Sequence, residues 1–314
     1  MLHEHRFRAM NTDVGVWLWS AEGDPPNVRS WFGWAESFFG GVEAEMSRFR
    51  DDSALSRINA AAGRGPQPVP PRLWTVLAAG FRAAAETDGL FDPAVGQTMG
   101  RIGYDRSYER ITATEDVEDA PAAAPASWRR VRLNHQDHSV SLPGDLALDV
   151  GGIAKGWTVD YVARALSALG PVLVDAGGDL RAIGTVDGER WLVGVQDAFE
   201  AERDCGLFRL EGALATSSVG GRRWKRGGRM LHHLVDPRTG TSADTDLRAV
   251  TVHARDAVTA DVAAKVALIL GSAAARAYIL NRGLAAFVVD ASGRETIVGS
   301  FPFEGVVGDV AGNN

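Results

Sequence analysis

A glycine turn followed closely by a lysine is the sequence feature with the clearest chemical potential. The run Asp149–Asp160 reads Asp-Val-Gly-Gly-Ile-Ala-Lys-Gly-Trp-Thr-Val-Asp, and the apolar segment Leu146–Leu148 leads into it as a predicted strand. Glycines allow a ligand to approach the backbone, and the free N–H groups at a helix start bind phosphate. Lys155 adds a positive charge, although the spacing matches neither a P-loop nor the dinucleotide-binding glycine pattern. The run therefore predicts a phosphate site, with a tight turn and an exposed lysine as the alternative.

A second charged pair lies in a segment that is otherwise almost entirely apolar. Asp261 and Lys265 are the only charges of the predicted helix 256–271 after Asp256. They are four residues apart, so they share one face of the helix. An exposed pair of this kind contributes about 0.3–0.5 kcal/mol, but a helix with so little polar surface is expected to bury it in part. Buried charges are paired or bind a ligand, which makes this pair a second candidate site.

Two turns and the end of one strand also carry functional groups, and each has a purely structural explanation as well. His233 leads from a predicted strand into the turn Asp236–Gly240, where proline and glycine satisfy the turn geometry. A histidine near neutral pH can act as a base or hold a ligand. The segment Asp175–Asp179 is predicted to be a hairpin turn. The hydroxyl-rich segment Ala215–Ser218 either binds phosphate or simply ends a strand.

Composition is that of an ordinary globular protein and argues against several function classes. The 314 residues are 45% hydrophobic and 23% charged, which is typical of soluble domains. A net charge of −7 argues against a general nucleic-acid binder. Cys205 is the single cysteine, so neither an internal disulfide nor a cysteine metal cluster can form. Neither a secretory signal nor a membrane span is visible, and we expect a cytoplasmic protein.

Hydrophobic periodicity predicts an α+β fold with mixed sheets and packed helices, in a single domain over residues 1–314. The stretch Pro66–Pro71 is predicted to be a linker because its prolines cannot hold a helix. The stretch 113–127, rich in alanine, proline and acids, is predicted to be a mobile surface loop. Helices are predicted at 27–47, 53–59, 73–87, 157–169, 257–270 and 273–280. Strands are predicted at 5–20, 129–133, 139–142, 172–175, 180–183, 191–196, 207–210, 213–217, 230–235, 248–254 and 285–289.

Taken in order, these segments resemble the ApbE-type flavin transferase family, the FAD:protein FMN transferases. Each matching segment is short, and their common order gives the resemblance its specificity. The resemblance implies an ApbE-like flavin transferase fold. The matching segments are Met10–Thr12, Glu45–Phe49, Ser53–Asn59, Gly89–Pro93, Asp149–Asp160, Ala176–Asp179, Ala215–Ser217, His233–Gly240 and Ala260–Lys265.

The resemblance also implies a reaction. Members of the family bind FAD, cleave its pyrophosphate with Mg²⁺, and pass the FMN phosphoryl group to a threonine or serine hydroxyl of a target protein, releasing AMP. Some members instead hydrolyse FAD to FMN and AMP. No stretch of this chain resembles the family's acceptor motif, so we expect the acceptor to be a separate protein. Phosphoryl transfer depends mainly on positioning and charge stabilisation, which agrees with the lysine and the glycine turn.

By position, the resemblance implies a set of site residues. Gly152 matches a position whose backbone carbonyl binds Mg²⁺, and Asp261 matches the metal carboxylate. His233 matches an active-site histidine that assists the acceptor hydroxyl, and with Asp261 and Lys265 it forms the predicted catalytic set. The predicted FAD-binding residues are Met10, Phe49, Leu90, Phe91, Asp92, Asp149, Lys155 and Thr216.

Lys265 departs from the family pattern, which usually has a threonine oxygen ligand four residues after the metal aspartate. Mg²⁺ prefers oxygen ligands, and a charged lysine has three donors and no acceptor, so it cannot ligate the ion. Two outcomes are open: Lys265 stands in for the cation, or Mg²⁺ still binds through Gly152, Asp261, phosphates and water. Three functions stay open with them: an FMN transferase, an FAD pyrophosphatase, and a non-catalytic FAD-binding protein.

Overall fold

The computed structural model describes residues 1–21, 23, 27–111, 127–200 and 202–305. The predicted loop 113–127 lies outside these residues except for its last position. None of the helices in the described residues is long and apolar enough to cross a membrane. The described residues form seven α-helices: α1 (Val28–Met46), α2 (Ala54–Ala60), α3 (Pro71–Glu86), α4 (Gly96–Arg101), α5 (Ala154–Leu166), α6 (Ala257–Leu270) and α7 (Ser272–Asn281).

The same residues contain eighteen β-strands, most of them short. They are β1 (Leu2–Ala9), β2 (Thr12–Trp19), β3 (Pro66–Pro68), β4 (Arg132–Asn134), β5 (Ser139–Ser141), β6 (Val172–Ala176), β7 (Asp179–Ile183), β8 (Trp191–Gln196), β9 (Asp204–Leu210), β10 (Gly212–Ser218), β11 (Arg223–Arg226), β12 (Arg229–His232), β13 (Val235–Asp236), β14 (Thr241–Ser242), β15 (Leu247–Ala254), β16 (Ala285–Asp290), β17 (Glu295–Val298) and β18 (Phe303–Gly305). Helices and strands are mixed along the chain, which confirms the predicted α+β class.

Chain contacts divide the molecule into two compact units. Unit 1 comprises Met1–Gly40, Lys155–Gly220 and Asp246–Asn314. Unit 2 comprises Gly41–Ala154 and Gly221–Thr245. The single domain expected over residues 1–314 stays a prediction, and each unit is described by itself.

Unit 1 is built on an eight-stranded sheet in the order β1-β2-β6-β7-β10-β15-β16-β17, with every neighbouring pair antiparallel. Side chains alternate between the two faces of a strand, and β2 illustrates the result. Val14, Val16 and Leu18 pack into a core with α1, α5 and α6. Trp17 and Trp19 pack into a second core with the three-stranded sheet β18-β9-β8. Both faces of the large sheet therefore lie against other elements.

Two hairpin turns lie at the same end of this sheet. Met10 and Asn11 connect β1 to β2 with φ values of 51° and 62°, and Gly177 and Gly178 connect β6 to β7 with φ values of 61° and 88°. Two successive positive φ values are typical of the two-residue turn that matches strand twist. A side chain on Gly177 would place its Cβ 2.1 Å from the Thr12 Oγ1. Glycine is therefore required there, and the predicted hairpin at 175–179 is confirmed.

Unit 2 consists of α2, α3 and α4 with three small sheets, β3-β5-β4, β11-β12 and β13-β14. The Ser53 hydroxyl caps α2 by accepting the N–H of Ser56, as Ser/Thr/Asp/Asn side chains commonly do. The side chain of Asn59 then bonds both backbone groups of Leu148, with its Nδ2 2.9 Å from the carbonyl and its Oδ1 2.7 Å from the N–H. This pair of bonds fixes the backbone just before Asp149.

Three of the local predictions are wrong, and sheet context explains each. Leu146–Leu148 is not a strand, since its one β contact is an isolated bridge from Ala147 to Val95. Pro66–Pro68 is not a linker but edge strand β3, paired with β5; proline is tolerated at an edge because its missing N–H faces no neighbour. The strand expected over 230–235 is interrupted after His232. Strands β11, β14, β17 and β18 and helix α4 were not predicted.

Asp160 joins two helices of unit 1. Its buried carboxylate accepts the N–H of Ala257 at 2.9 Å and of Val258 at 3.1 Å, so α5 caps the start of α6. We expect Asp160→Ala to lower the free energy of unfolding by about 1–3 kcal/mol, because one buried and one partly buried N–H group lose their acceptor. Urea denaturation measures the change. Asp13→Ala is the matched control, with a side chain that is 93% exposed; an equal effect of both substitutions would contradict the capping role.

Candidate functional site

Lys155 belongs to a charged cluster of unit 1. It is the second residue of α5, and its Nζ lies 2.6 Å from the Asp179 Oδ2 and 3.3 Å from the Ala176 carbonyl oxygen. Asp179 is buried, and it begins β7 just after the Gly177–Gly178 turn. The ammonium is therefore oriented by the hairpin. The alternative of an exposed lysine beside a tight turn is wrong.

Asp261 and Lys265 form a second pair within the same unit. The Lys265 Nζ donates a hydrogen bond to the Asp261 Oδ1, and the two side chains are 19% and 2% exposed. This confirms the burial expected from the apolar sequence of the helix. Burial raises the pKa of Asp261, the nearby Asp179 raises it further, and Lys265 and Lys155 oppose the shift. The two ion pairs are thus electrostatically linked.

One oxygen of this cluster has no protein partner in the part of the chain that the structure describes. The Asp261 Oδ2 is buried and accepts no hydrogen bond there. Leaving a buried carboxylate oxygen unsatisfied is costly. The oxygen therefore marks a position where a ligand donor or a cation would be stabilised.

The donor set of unit 1 does not by itself fit a Mg²⁺ ion. The described residues contain no group of three or more His, Cys, Asp or Glu side chains that could hold a metal. The Asp261 Oδ2 offers one ligand, but the Asp261 Oδ1 is already engaged by the Lys265 ammonium. Mg²⁺ requires near-octahedral oxygen coordination. Gly152, the other predicted ligand, lies in unit 2, in the turn before α5, and its role stays a prediction.

Two further predicted FAD contacts belong to unit 1. Met10 is the first residue of the β1–β2 turn. Thr216 lies on β10, where its Oγ1 is 2.8 Å from the Thr251 Oγ1. Strands β10 and β7 are antiparallel and Leu214 lies opposite Leu180. Thr216, two residues further along β10, therefore lies closer to the Gly177–Gly178 turn. Met10, Lys155 and Thr216 therefore converge on one end of the large sheet.

The remaining predicted residues belong to unit 2, and among them Asp149 forms an ion pair. Its Oδ2 lies 2.7 Å from the Arg48 Nε, and its Oδ1 accepts the N–H of Gly151 at 2.7 Å. Phe49 follows Arg48 and is 39% exposed. His233 lies between β12 and β13, and its ring centroid is 6.4 Å from that of Tyr104.

Asp92 has a structural role in the geometry of unit 2. Its Oδ1 accepts the N–H of Ala94 at 2.7 Å, and its Oδ2 accepts the N–H of Trp128 at 3.0 Å. Burial raises the pKa of Asp92, and these two hydrogen bonds oppose the shift. The neighbouring Phe91 is buried and Leu90 is half-buried. Their predicted contacts with FAD stay predictions.

Sequence reasoning assigned no role to several residues that the geometry makes important. Asp179 and Arg48 lie inside segments that carry the family resemblance, and each is the buried or nearly buried partner of a predicted site residue. A charged residue within a matching segment was the signal that could have identified each of them. Tyr104 and Trp224 stack with ring centroids 5.4 Å apart, and no motif indicated this pair.

Comparison with known proteins identifies the family. The sequence profile of the ApbE family matches residues 10–288. The chain belongs to the ApbE family. It is similar to the FAD:protein FMN transferase of Treponema pallidum, with 32% identity over 258 residues that cover 73% of this chain and 68% of the relative. The corresponding Salmonella typhimurium protein is 29% identical over 253 residues, covering 78% and 72%.

Solved structures agree with the ApbE assignment. The ApbE protein from Thermotoga maritima superposes with a TM-score of 0.85 at 26% identity, covering 97% of this chain and all 100% of that one. The Pseudomonas stutzeri flavinyl transferase ApbE, in its apo form, gives a TM-score of 0.79 at 25% identity and 95% coverage of both chains. The ApbE-like fold expected from the sequence is confirmed. This chain is therefore homologous to a family of transferases that use FAD.

Asp175 gives the cluster of unit 1 a pH dependence. Burial raises the pKa of Asp175 to about 6 from an ordinary 3.8, and its Oδ1 accepts the N–H of Gly178 at 2.8 Å. The folded state binds the proton more tightly than the unfolded state does. This carboxyl group therefore destabilises the fold above pH 6, and the penalty is relieved as the pH falls from about 6 to about 4.

We expect Asp175→Asn to raise the free energy of unfolding by about 1–3 kcal/mol at pH 7, and by less near pH 4.5. Asparagine keeps an acceptor for the Gly178 N–H but carries no charge. Urea denaturation at the two pH values measures the difference. Loss of stability at pH 7, or an effect that does not change with pH, would contradict this assignment.

Proposed function

We propose that the chain is an FAD:protein FMN transferase that modifies a separate protein and releases AMP. Homology to the FAD:protein FMN transferases supports this reaction. The observation that carries the proposal within the chain is the buried Lys155–Asp179 and Asp261–Lys265 cluster, with its unsatisfied Asp261 oxygen. Positive charges held rigidly in a water-poor place stabilise the charge of a transferring phosphoryl group.

The residues have distinct roles in this proposal. The acceptor hydroxyl oxygen forms a bond to the flavin-side phosphorus of FAD, and the bond from that phosphorus to the oxygen of AMP breaks. AMP leaves with that oxygen, and His233 takes the hydroxyl proton. Lys155 stabilises negative charge on the phosphates, and Asp179 holds it in position. Thr216 and Met10 contact FAD, as do Phe49, Leu90, Phe91 and Asp92. Asp149 orders the same region through Arg48 and the Gly151 N–H.

Lys265 takes part of the role that a divalent cation has elsewhere in the family. It brings a fixed positive charge to Asp261, and its ammonium replaces the threonine oxygen of the family pattern. A Mg²⁺ ion would neutralise phosphate charge if it bound through Gly152, Asp261, phosphates and water. The incomplete donor set around Asp261 favours the lysine.

The reaction is tested by incubating the protein with FAD, Mg²⁺ and candidate flavin-accepting proteins. The expected result is an acceptor heavier by one FMN and an equal amount of AMP, measured by mass spectrometry and chromatography. His233→Ala should abolish the transfer while FAD still binds. AMP released at a comparable rate without acceptor would identify an FAD pyrophosphatase, and tight FAD binding with no AMP under any metal would identify a binding protein.

Exchange of Lys265 tests the source of the positive charge. We expect Lys265→Thr to make AMP release more dependent on Mg²⁺, because threonine supplies an oxygen ligand where lysine supplies a charge. Lys265→Met is the matched control, since it removes the charge without adding an oxygen. An unchanged Mg²⁺ response in the threonine variant would contradict the role of Lys265. Both variants leave Asp261 buried without its partner, which costs about 3–5 kcal/mol, so thermal unfolding is measured first.

A further inference from the structure

Arg48 is a buried guanidinium that the protein satisfies only in part. Its side chain is 12% exposed, and its Nε is paired with the Asp149 Oδ2 at 2.7 Å. Its Nη2 is buried and donates no hydrogen bond to any atom of the described residues. Buried donors on charged groups are normally satisfied because leaving them unmade is costly. The Nη2 is therefore a donor in need of an acceptor.

Asp149 is already committed to the protein on both of its oxygens. The Oδ2 accepts from Arg48 and the Oδ1 accepts from the Gly151 N–H. Both of these contacts of the Asp149 carboxylate are made within unit 2. Asp149 is suited to hold Arg48 and the glycine turn in place, while the Arg48 Nη2 is a donor that no atom of the described residues accepts.

Two aromatic rings fix the orientation of the guanidinium. The Arg48 Cζ lies 4.2 Å from the centroid of the Phe49 ring and 4.9 Å from that of the Tyr104 ring. The two rings are inclined at 75° to each other, so they contact the cation from different sides. Arginine stacks on aromatic faces through its planar, delocalised charge. Together with the Asp149 pair, these contacts leave the direction of the Nη2 little freedom.

The charge balance indicates what the Nη2 would bind. The Arg48 charge is neutralised by Asp149 at 2.7 Å, so the pair attracts a phosphate far less than a lone arginine would. A neutral acceptor atom keeps the hydrogen bond without placing a third charge beside the pair. The ring of Phe49, which is 39% exposed, adds flat apolar surface beside the guanidinium. A planar heteroaromatic ring with carbonyl or ring-nitrogen acceptors fits both properties.

We propose that Arg48 recognises a heteroaromatic ring of the substrate through its Nη2, with Asp149 as the positioning residue. The proposal rests on the proposed function, because FAD carries two such rings, isoalloxazine and adenine. Arg48, to which the sequence assigned no role, then makes the ligand contact that was expected of Asp149.

The test separates the two rings from the phosphates. Dissociation constants of FAD, riboflavin, adenosine and inorganic pyrophosphate are measured by calorimetry for the wild type, Arg48→Lys and Arg50→Lys. We expect Arg48→Lys to weaken FAD and one ring ligand about tenfold, which is about 1.4 kcal/mol, and to leave pyrophosphate unchanged. A riboflavin loss assigns the isoalloxazine ring, and an adenosine loss assigns adenine. Arg50 is the matched control, since it forms an exposed pair with Asp52, and its exchange should change nothing.

Asp149→Asn distinguishes ring recognition by Arg48 from a purely structural role of the Arg48–Asp149 pair. The variant keeps Arg48 but removes its counter-charge, so pyrophosphate should bind more tightly while the ring ligand binds more weakly. Arg48→Lys keeps a cation beside Asp149. If it does not fold, the double variant Arg48→Gln with Asp149→Asn removes both charges together and should lose the same ring affinity.

Three results would overturn the proposal. They are unchanged ring affinity in Arg48→Lys, an equal loss for pyrophosphate and ring ligands, and a wild type that binds FAD but neither ring alone. A wild type that does not bind FAD would instead overturn the proposed function, so the two failures are distinguishable.

Discussion

The burial of charge at one end of the large sheet is the constraint on which the chemistry of unit 1 depends. Removing an ammonium or a carboxylate from water costs several kcal/mol unless a partner replaces the lost solvation. Lys155 and Lys265 each have one carboxylate, and both carboxylates are almost fully buried. The two carboxylates are therefore compensated by lysines that are themselves 19–20% exposed, and charges act more strongly on a ligand in such partly desolvated places than in water.

The backbone that supports this cluster is set by two tight turns. Gly177 and Gly178 adopt positive φ values, and the turn they form places Asp179 within hydrogen-bond distance of Lys155. The register of β2 with β6 brings the Met10–Asn11 turn to the same end. Asp160 then joins α5 to the start of α6, the helix that carries Asp261 and Lys265. Each charged side chain is positioned by an element that is itself fixed by packing or hydrogen bonds.

Unit 2 also contains a nearly buried ion pair, and here the atom without a partner in the described residues belongs to the cation. Arg48 and Asp149 neutralise each other at 2.7 Å, and aromatic rings enclose the guanidinium. In unit 1 the buried polar atoms without a hydrogen bond in the described residues include the Asp261 Oδ2, and in unit 2 they include the Arg48 Nη2. These two atoms are of opposite character, an acceptor and a donor. Such atoms are few in native proteins, which is why they are informative about ligands.

The sequence by itself determined the α+β class, most of the longer helices and strands, and the family. These follow from local patterns: Ser53 caps a helix, paired glycines form a hairpin, and Asp261 and Lys265 lie four apart in an apolar helix. Short edge strands such as β3 and the false strand at Leu146–Leu148 depended on sheet neighbours, which periodicity does not contain.

Only the tertiary structure decided how the charges pair. Lys155 finds Asp179, twenty-four positions further along the chain, and Arg48 finds Asp149, with no sequence spacing that could indicate either contact. Burial of Asp261 was foreseeable from its helix, but the unsatisfied Oδ2 was not. The physical reason is that desolvation and hydrogen bonding depend on every neighbour in space, whereas a motif records only neighbours along the chain.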